Sequence, residues 1–217
     1  MEYSAVIPCG GIGSRLNLGY NKIIYKTNDK LLIEYTIKNF LLDEECKEVV
    51  IVSNKDDLDL LKGVIKHSKV KFTLGGNTRE ESVQNGLKIA SFEYVLIHDG
   101  ARPNVSKELI NKVKEKLNEV DYVIPTLKLK DASLINDKYH QEIITIIQTP
   151  QATKRSLLLE AMDNLDISKF KDDISIICSY LNVNPYTVEG DYDNIKITTP
   201  EDMVIAEKIL KERRKEG

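Results

Sequence analysis

Near the start of the chain, the run Pro8-Cys9-Gly10-Gly11-Ile12-Gly13-Ser14-Arg15 is followed seven residues later by Lys22. Glycines so closely spaced let the backbone approach a ligand with no Cβ in the way. Backbone N–H groups at such a turn, leading into a helix N-terminus, favour anions and above all phosphate. Arg15 can fork two phosphate oxygens, and Lys22 adds a mobile point charge. That combination suits a triphosphate whose chemistry takes place at phosphorus. A glycine-rich turn carrying surface cations is the plainer alternative. Two better-known loops are excluded. A dinucleotide fingerprint needs G-x-G-x-x-G, and Leu16 stands where its third glycine belongs. A Walker A loop needs G-x-x-x-x-G-K-[ST], which Gly19-Tyr20-Asn21-Lys22 does not supply.

Three further clusters carry chemistry-capable side chains: Gly75-Gly76-Asn77-Thr78-Arg79-Glu80-Glu81-Ser82, His98-Asp99-Gly100-Ala101-Arg102-Pro103, and the stretch from Gly190 through Lys196 to Pro200. Asp99, directly after an apolar run and near a phosphate loop, is a natural Mg²⁺ (or Mn²⁺) ligand, because Mg²⁺ takes one or two carboxylates plus phosphate oxygens. Arg102 is placed to hold a second anion. His98 reads as a hydrogen-bonded histidine near the core, and Arg79 as a partner for neighbouring acids. Asp191-Tyr192-Asp193 has the look of a glycosyltransferase metal motif, yet acids after a glycine also simply make turns.

These residues need a scaffold. Ala5–Ile7, Val49–Val52 and Tyr94–Ile97 are short apolar runs of the buried parallel-strand type. Weaker strands are expected at 69–72, 122–125 and 186–188. Helical patterns fall between them at 31–42, 56–67, 80–91, 106–118, 154–164 and 172–181, and a helix is also expected after the first glycines. Thr199-Pro200-Glu201-Asp202 opens a final helix, with a hydroxyl cap, proline at the first position and acids in the first turn. Alternating strands and helices predict an α/β fold with a mostly parallel sheet covered on both faces, its ligands at the carboxyl ends of the strands. Residues 127–147 break the alternation. They read as two β-runs around a polar turn, Asn136 to His140, either projecting as an arm that a second subunit covers or folded back on the chain's own domain.

A length of 217 residues fits one domain over 1–217 with a substantial core. A net charge of −3 gives no basic field for nucleic acid or anionic membrane, so any phosphate site must be a local cluster of cations. The three cysteines, Cys9, Cys46 and Cys178, match neither zinc spacing nor a disulfide framework, which suits a reducing cytoplasm. No apolar run approaches the ~18 residues of a membrane span, and no signal peptide is expected.

Taken together, Pro8-x-x-Gly-x-Gly-x-Arg15 with Lys22, Gly75-Gly-x-x-Arg-x-x-Ser82-Val-x-x-Gly-Leu87, His98-Asp-Gly-Ala-Arg-Pro103, Gln148-Thr-Pro-Gln151 and Glu189-Gly with Asn194-Ile-Lys-Ile-Thr-Thr-Pro-Glu-Asp202 resemble the 2-C-methyl-D-erythritol 4-phosphate cytidylyltransferases and their relatives that activate ribitol 5-phosphate. The resemblance implies a Rossmann-like nucleotidyltransferase fold of GT-A type, with a β-arm at 127–147 and a homodimer whose arms reach across. It also implies roles. Arg15 and Lys22 would stabilise the reacting phosphate, and Cys9, Gly10, Gly11 and Gly13 would wrap CTP. Gly75, Asn77, Ser82 and Gly100 would contact base and ribose. Asp99 would serve metal and substrate, while Arg102, Thr149 and Lys196 would hold the phosphorylated alcohol. Lys196 is counted with the catalytic cations.

The acceptor half departs from that pattern. No arginine stands in Tyr139–Ile147, the arm's Asp-Thr pair reads Asp131-Ala132, and Asp172 replaces a threonine, whereas the CTP half is intact, with Cys9 near the nucleotide in place of the usual alanine. The expected reaction is transfer of CMP from CTP to a polyol phosphate with release of pyrophosphate. The departures favour a glycerol, ribitol or other alditol phosphate destined for a surface polysaccharide, with 2-C-methyl-D-erythritol 4-phosphate for isoprenoid synthesis as the alternative. A nucleotide-sugar glycosyltransferase and a non-catalytic nucleotide-binding regulator are the rivals from other classes, and pyrophosphate release separates all of them.

Overall fold

The computed structural model describes residues 1–10, 19–130, 132–135, 138–140 and 144–213. Gly11, Gly13, Arg15 and the helix expected after them lie outside the described residues, as does Asp131.

The first strand, β1 (Tyr3–Pro8), runs parallel to β4 (Cys46–Ser53) on one side and to β6 (Tyr94–Ile97) on the other. β5 (Val70–Leu74) extends the sheet beyond β4, again in parallel. Beyond β6 the direction reverses. β11 (Gln151–Lys154) pairs antiparallel with both β6 and β7 (Tyr122–Lys128). β7 also takes β12 (Thr187–Glu189) in parallel and the edge strand β10 (Thr145–Ile147) in antiparallel. The main path is β10-β7-β11-β6-β1-β4-β5.

The apolar runs carry the core because alternate residues enter opposite faces. Ala5, Ile7, Val49, Ile51 and Leu96 join one buried cluster, and Val6, Val50, Val52, Val95 and Ile97 the other. Helices α1 (Leu32–Leu42) and α4 (Lys107–Leu117) supply Ile33, Ile37, Leu109 and Val113 to the first face. Helices α3 (Arg79–Ile89), α5 (Arg155–Asn164) and α6 (Asp173–Leu181) supply Val83, Leu158 and Ile177 to the second. Gly86 lets α3 lie close on the sheet. A Cβ there would stand 2.5 Å from Val6 Cγ1 and 2.8 Å from Val52 Cγ2.

Helix starts follow the side chains that can cap them. Asn54 accepts from Asp57 N ahead of α2 (Lys55–Val64), Thr78 from Glu81 N, Ser106 from Leu109 N, and Asp172 from Ser175 N. At the start of α7 (Pro200–Arg213), Thr199 Oγ1 accepts from Asp202 N (3.4 Å), the hydroxyl cap that the sequence predicts, and Asp202 Oδ2 in turn accepts from Thr198 and Thr199 N.

Three features differ from the sequence expectation. The 127–147 stretch holds an inner ladder, Thr126–Lys128 against β10, and an outer one, β8 (Ser133–Ile135) against β9 (Lys138–His140). Lys138–His140 are therefore strand, not turn. β11 goes unforeseen because Gln-Ala-Thr-Lys lacks an apolar run; its polar residues are instead buried by hydrogen bonds to neighbours. A small hairpin, β2 (Lys26–Thr27) with β3 (Lys30–Leu31), turns through Asn28 and Asp29 at positive φ, which Asn and Asp tolerate.

Candidate active site

The carboxyl ends of β1, β5 and β6 open into one cavity of about 350 Å³, with Lys196 contributing from the segment before α7. The end of β1 is tied to both neighbours: Gly100 N, just after β6, donates to Pro8 O (3.2 Å), and Cys9 N donates to Val52 O of β4 (2.7 Å). Position 100 has no room for a side chain, since a Cβ would meet Cys9 Sγ at 2.7 Å. The Gly75–Thr78 loop is shaped by Ser82, whose Oγ accepts from Gly76 N (3.1 Å) and donates to Thr78 O (2.8 Å).

Asp99 is the electrostatic centre. Its Oδ1 faces Arg79 Nε at 3.3 Å, and its Oδ2 faces Lys196 Nζ at 2.9 Å and Arg102 Nε at 3.4 Å. Burial alone would raise this carboxyl, but Arg79, Lys196 and Arg102 overcome it and hold Asp99 well below the usual carboxylate range. Arg79 is forked onto Asp173 at 2.9 and 2.8 Å. Burial pushes Asp173 up, and Arg79 only partly offsets it. Lys22 sits on a 3₁₀ turn, Lys22–Ile24, and donates to Ile197 O at 2.6 Å, bringing it beside the segment that carries Lys196.

Behind Asp99 lies a relay with one consistent proton arrangement. Thr149 Oγ1 accepts from Asp99 N (3.1 Å), so its own proton goes to His98 Nδ1 (3.0 Å), and His98 Nε2–H then donates to Arg102 O (3.1 Å). Burial drives His98 down to about 4, so it is the neutral, core-side histidine that the sequence suggests.

Of the residues singled out from sequence, Cys9, Gly10, Lys22, Asn77, Ser82, Asp99, Gly100 and Lys196 line the cavity. Gly75, Arg102 and Thr149 do not reach its wall. Arg102 Nη1 is bonded to Asn194 O at 2.8 Å and Thr149 is 4% exposed, which sets both one layer back. Ser82 is engaged by its own loop. The Cys9 thiol is pushed up by burial and by the charges of Asp57 and Asp99, which disfavours the thiolate. Asn21, Thr78 and Arg79 also line the cavity; of the three, the sequence suggests an individual role only for Arg79, as a partner for acids, which it is. Asp191 and Asp193 lie in a different cavity. Asp193 N donates to Asp191 Oδ1 (2.8 Å), and Arg213 pairs with both carboxylates at 3.3 and 3.2 Å, so this is a turn with an ion pair. Among the described residues no cluster of three His, Cys, Asp or Glu could hold a metal ion.

Arg79, Lys196 and Arg102 thus surround Asp99, with Arg79 also forked onto Asp173 and Lys22 on the cavity wall, so cations outnumber carboxylates here in a chain that is negative overall. Such a cavity suits the joining of two anions by positioning and charge neutralisation. The same residues from 3 to 212 match the profile of the family IspD: 2-C-methyl-D-erythritol 4-phosphate cytidylyltransferase. The chain belongs to that family. It is a nucleotidyltransferase enzyme of the cytidylyl-transferring kind. Curated 2-C-methyl-D-erythritol 4-phosphate cytidylyltransferases resemble it end to end. That of Bacillus cytotoxicus is 34% identical, covering 98% of this chain and 100% of its own, and that of Clostridium tetani is 34% identical, covering 95% and 89%. Among solved structures, the 4-diphosphocytidyl-2C-methyl-D-erythritol synthase of Anaerococcus prevotii superposes with a TM-score of 0.82 at 32% identity, covering 97% of this chain and 98% of that one. The bifunctional IspDF of Campylobacter jejuni gives 0.85 at 30% identity and 94% of this chain, which spans only 54% of that longer protein. The cytidylyltransferase fold explains why the sheet is mostly parallel and why the loops at its carboxyl end hold the cations.

Proposed function

We propose that the enzyme joins CTP to 2-C-methyl-D-erythritol 4-phosphate, giving a CDP-linked polyol and pyrophosphate. The full-length likeness to cytidylyltransferases of that name carries the choice of acceptor. The sequence departures favour another alditol phosphate, and one of them, Asp172, loses its force on geometry. Asp172 is engaged as the N-cap of α6, with Oδ1 accepting Ser175 N at 3.0 Å. A threonine would cap the same N–H, so the exchange preserves a structural contact.

In the reaction, an oxygen of the acceptor's phosphate forms a bond to the α-phosphorus of CTP, and the α–β bridging bond breaks with its electron pair leaving on pyrophosphate. No general base is required, because a phosphate monoester, with a second pKa near ~6, is already largely dianionic at neutral pH. Lys22 faces the charge developing on the nucleotide, with Arg15 assigned the same duty from sequence. Lys196 holds the acceptor's phosphate, and Arg102 and Thr149 keep Asp99 and its loop in place. Cys9, Gly10, Gly11 and Gly13 wrap the triphosphate, while Gly75, Asn77, Ser82 and Gly100 shape the nucleoside end.

Mg²⁺ fits this site as a passenger of the triphosphate. A carboxylate offers about four lone-pair sites, and three cations occupy Asp99, two of them at 3.3 and 3.4 Å, so one protein ligand is still on offer. Bound there, the ion would neutralise phosphate charge. A homodimer is part of the proposal. Ile146 and Ile147 on the edge strand β10 are 42% and 44% exposed, and Tyr139 is 86% exposed, an apolar edge that a second copy would cover. The free thiols suit a cytoplasmic enzyme, and no described helix is long and apolar enough to cross a membrane.

The test is product analysis after incubation with CTP, Mg²⁺ and the acceptor. Pyrophosphate and a diphosphate-bridged cytidine product should accumulate in equal amounts, and only when the acceptor is present. Sugar transfer without pyrophosphate, or CTP binding without turnover, would overturn the reading.

A further inference from the structure

Asn21, the residue before Lys22, is 5% exposed and every polar function of its side chain is engaged. Oδ1 accepts from Ile23 N (3.3 Å), and Nδ2 donates both to Cys9 O (2.6 Å) and to Asp57 Oδ2 (2.8 Å). Three segments therefore meet on one amide: the start of the glycine-rich loop, the turn bearing Lys22, and the first turn of α2. Asp57 is itself 8% exposed. Besides Asn21, its Oδ2 accepts Asn54 Nδ2 at 2.7 Å, and no described lysine or arginine forms an ion pair with it. A buried carboxylate bonded only to amides is costly as a stabilising device. What it provides is direction. A carboxylate can only accept, so Asp57 obliges Asn21 to present Nδ2, and the second hydrogen of that amide is then aimed at Cys9 O.

We propose that Asn21 and Asp57 are a positioning pair, fixing the Lys22 turn against the first carbonyl of the phosphate loop so that both address the same phosphate. The inference rests on the role given to Lys22 above. Misplacing a charged group by an ångström can cost ~10²-fold in rate with binding little changed.

The experiment measures kcat, KM for CTP and the thermal midpoint for Asn21→Asp, Asp57→Asn and the double exchange, by acceptor-dependent pyrophosphate release. Each single variant should lose about tenfold or more in kcat while KM for CTP moves by less than about threefold. The double exchange restores a donor facing an acceptor between positions 21 and 57 but turns a carboxylate oxygen toward Cys9 O. Its thermal midpoint should recover while its kcat stays low. If Asp57→Asn does not fold, Asn21→Ser, which also removes the Nδ2 donor, gives the same comparison. Wild-type kcat in the single variants, or kcat recovering together with stability in the double exchange, would overturn the proposal. A wild-type enzyme that releases no pyrophosphate would instead count against the proposed reaction.

Discussion

His98 shows how a side chain next to the chemistry can serve it without taking part. Held neutral between Thr149 and Arg102, it fixes the loop on which Asp99 and Arg102 sit. Its pKa falls from about 6.5 to about 4, so between those values the unfolded chain binds the extra proton and the folded one does not. The contribution of His98 to stability is therefore complete above about pH 6.5 and lost as the pH falls toward 4, by about 3 kcal/mol. Denaturant unfolding of the wild type and of His98→Gln across that window should show the slope in the former and its loss in the latter. Lys22 is the opposite case, a cation on the cavity wall itself. Lys22→Ala should lower kcat by ~10²–10³ with CTP affinity nearly unchanged in a direct binding titration. The sequence showed Lys22, Asp99 and Lys196 because charges after strands and glycines are conspicuous. It hid the indirect part, since nothing in the string tells that Arg102 points at Asn194 O or that Ser82 closes its own loop.

Elements were legible where one physical signal dominated. The helices at 31–42, 106–118 and 172–181 appear within a residue or so of their expected ends, the last two because apolar period and capping residue agree and the first on its apolar period alone. Strand β11 was not legible, because its burial comes from partners distant in sequence: Gln151 Oε1 accepts from Asp173 and Ile174 N. The helix at 56–67 stops at Val64, before Lys66-His67. The α6 cap yields a prediction at this scale. Asp172→Thr should change stability by less than about 1 kcal/mol and leave the ranking of acceptors intact, whereas Asp172→Ala should cost about 1 kcal/mol through the lost cap. The arm yields another. Ile146→Asp should give a monomer by sedimentation that still binds CTP, and an unchanged oligomeric mass would refute the proposed edge-to-edge contact.

At the scale of the whole molecule, a negatively charged chain gathers cations from α3, from the loop after β6 and from the segment before α7 around one carboxylate, and Lys22 adds its charge to the same cavity wall. That arrangement was readable in outline, because a parallel sheet sends its loops to one end. The acceptor was not, since on the proposed reading its contacts are spread over the arm and a second subunit. The most direct measurement is kcat/KM with CTP fixed, across 2-C-methyl-D-erythritol 4-phosphate and the phosphates of ribitol, glycerol, arabinitol and mannitol. The methylerythritol substrate should lead by about tenfold or more, some 1.4 kcal/mol of transition-state binding. Equal or faster turnover of any other alditol phosphate would contradict the assignment.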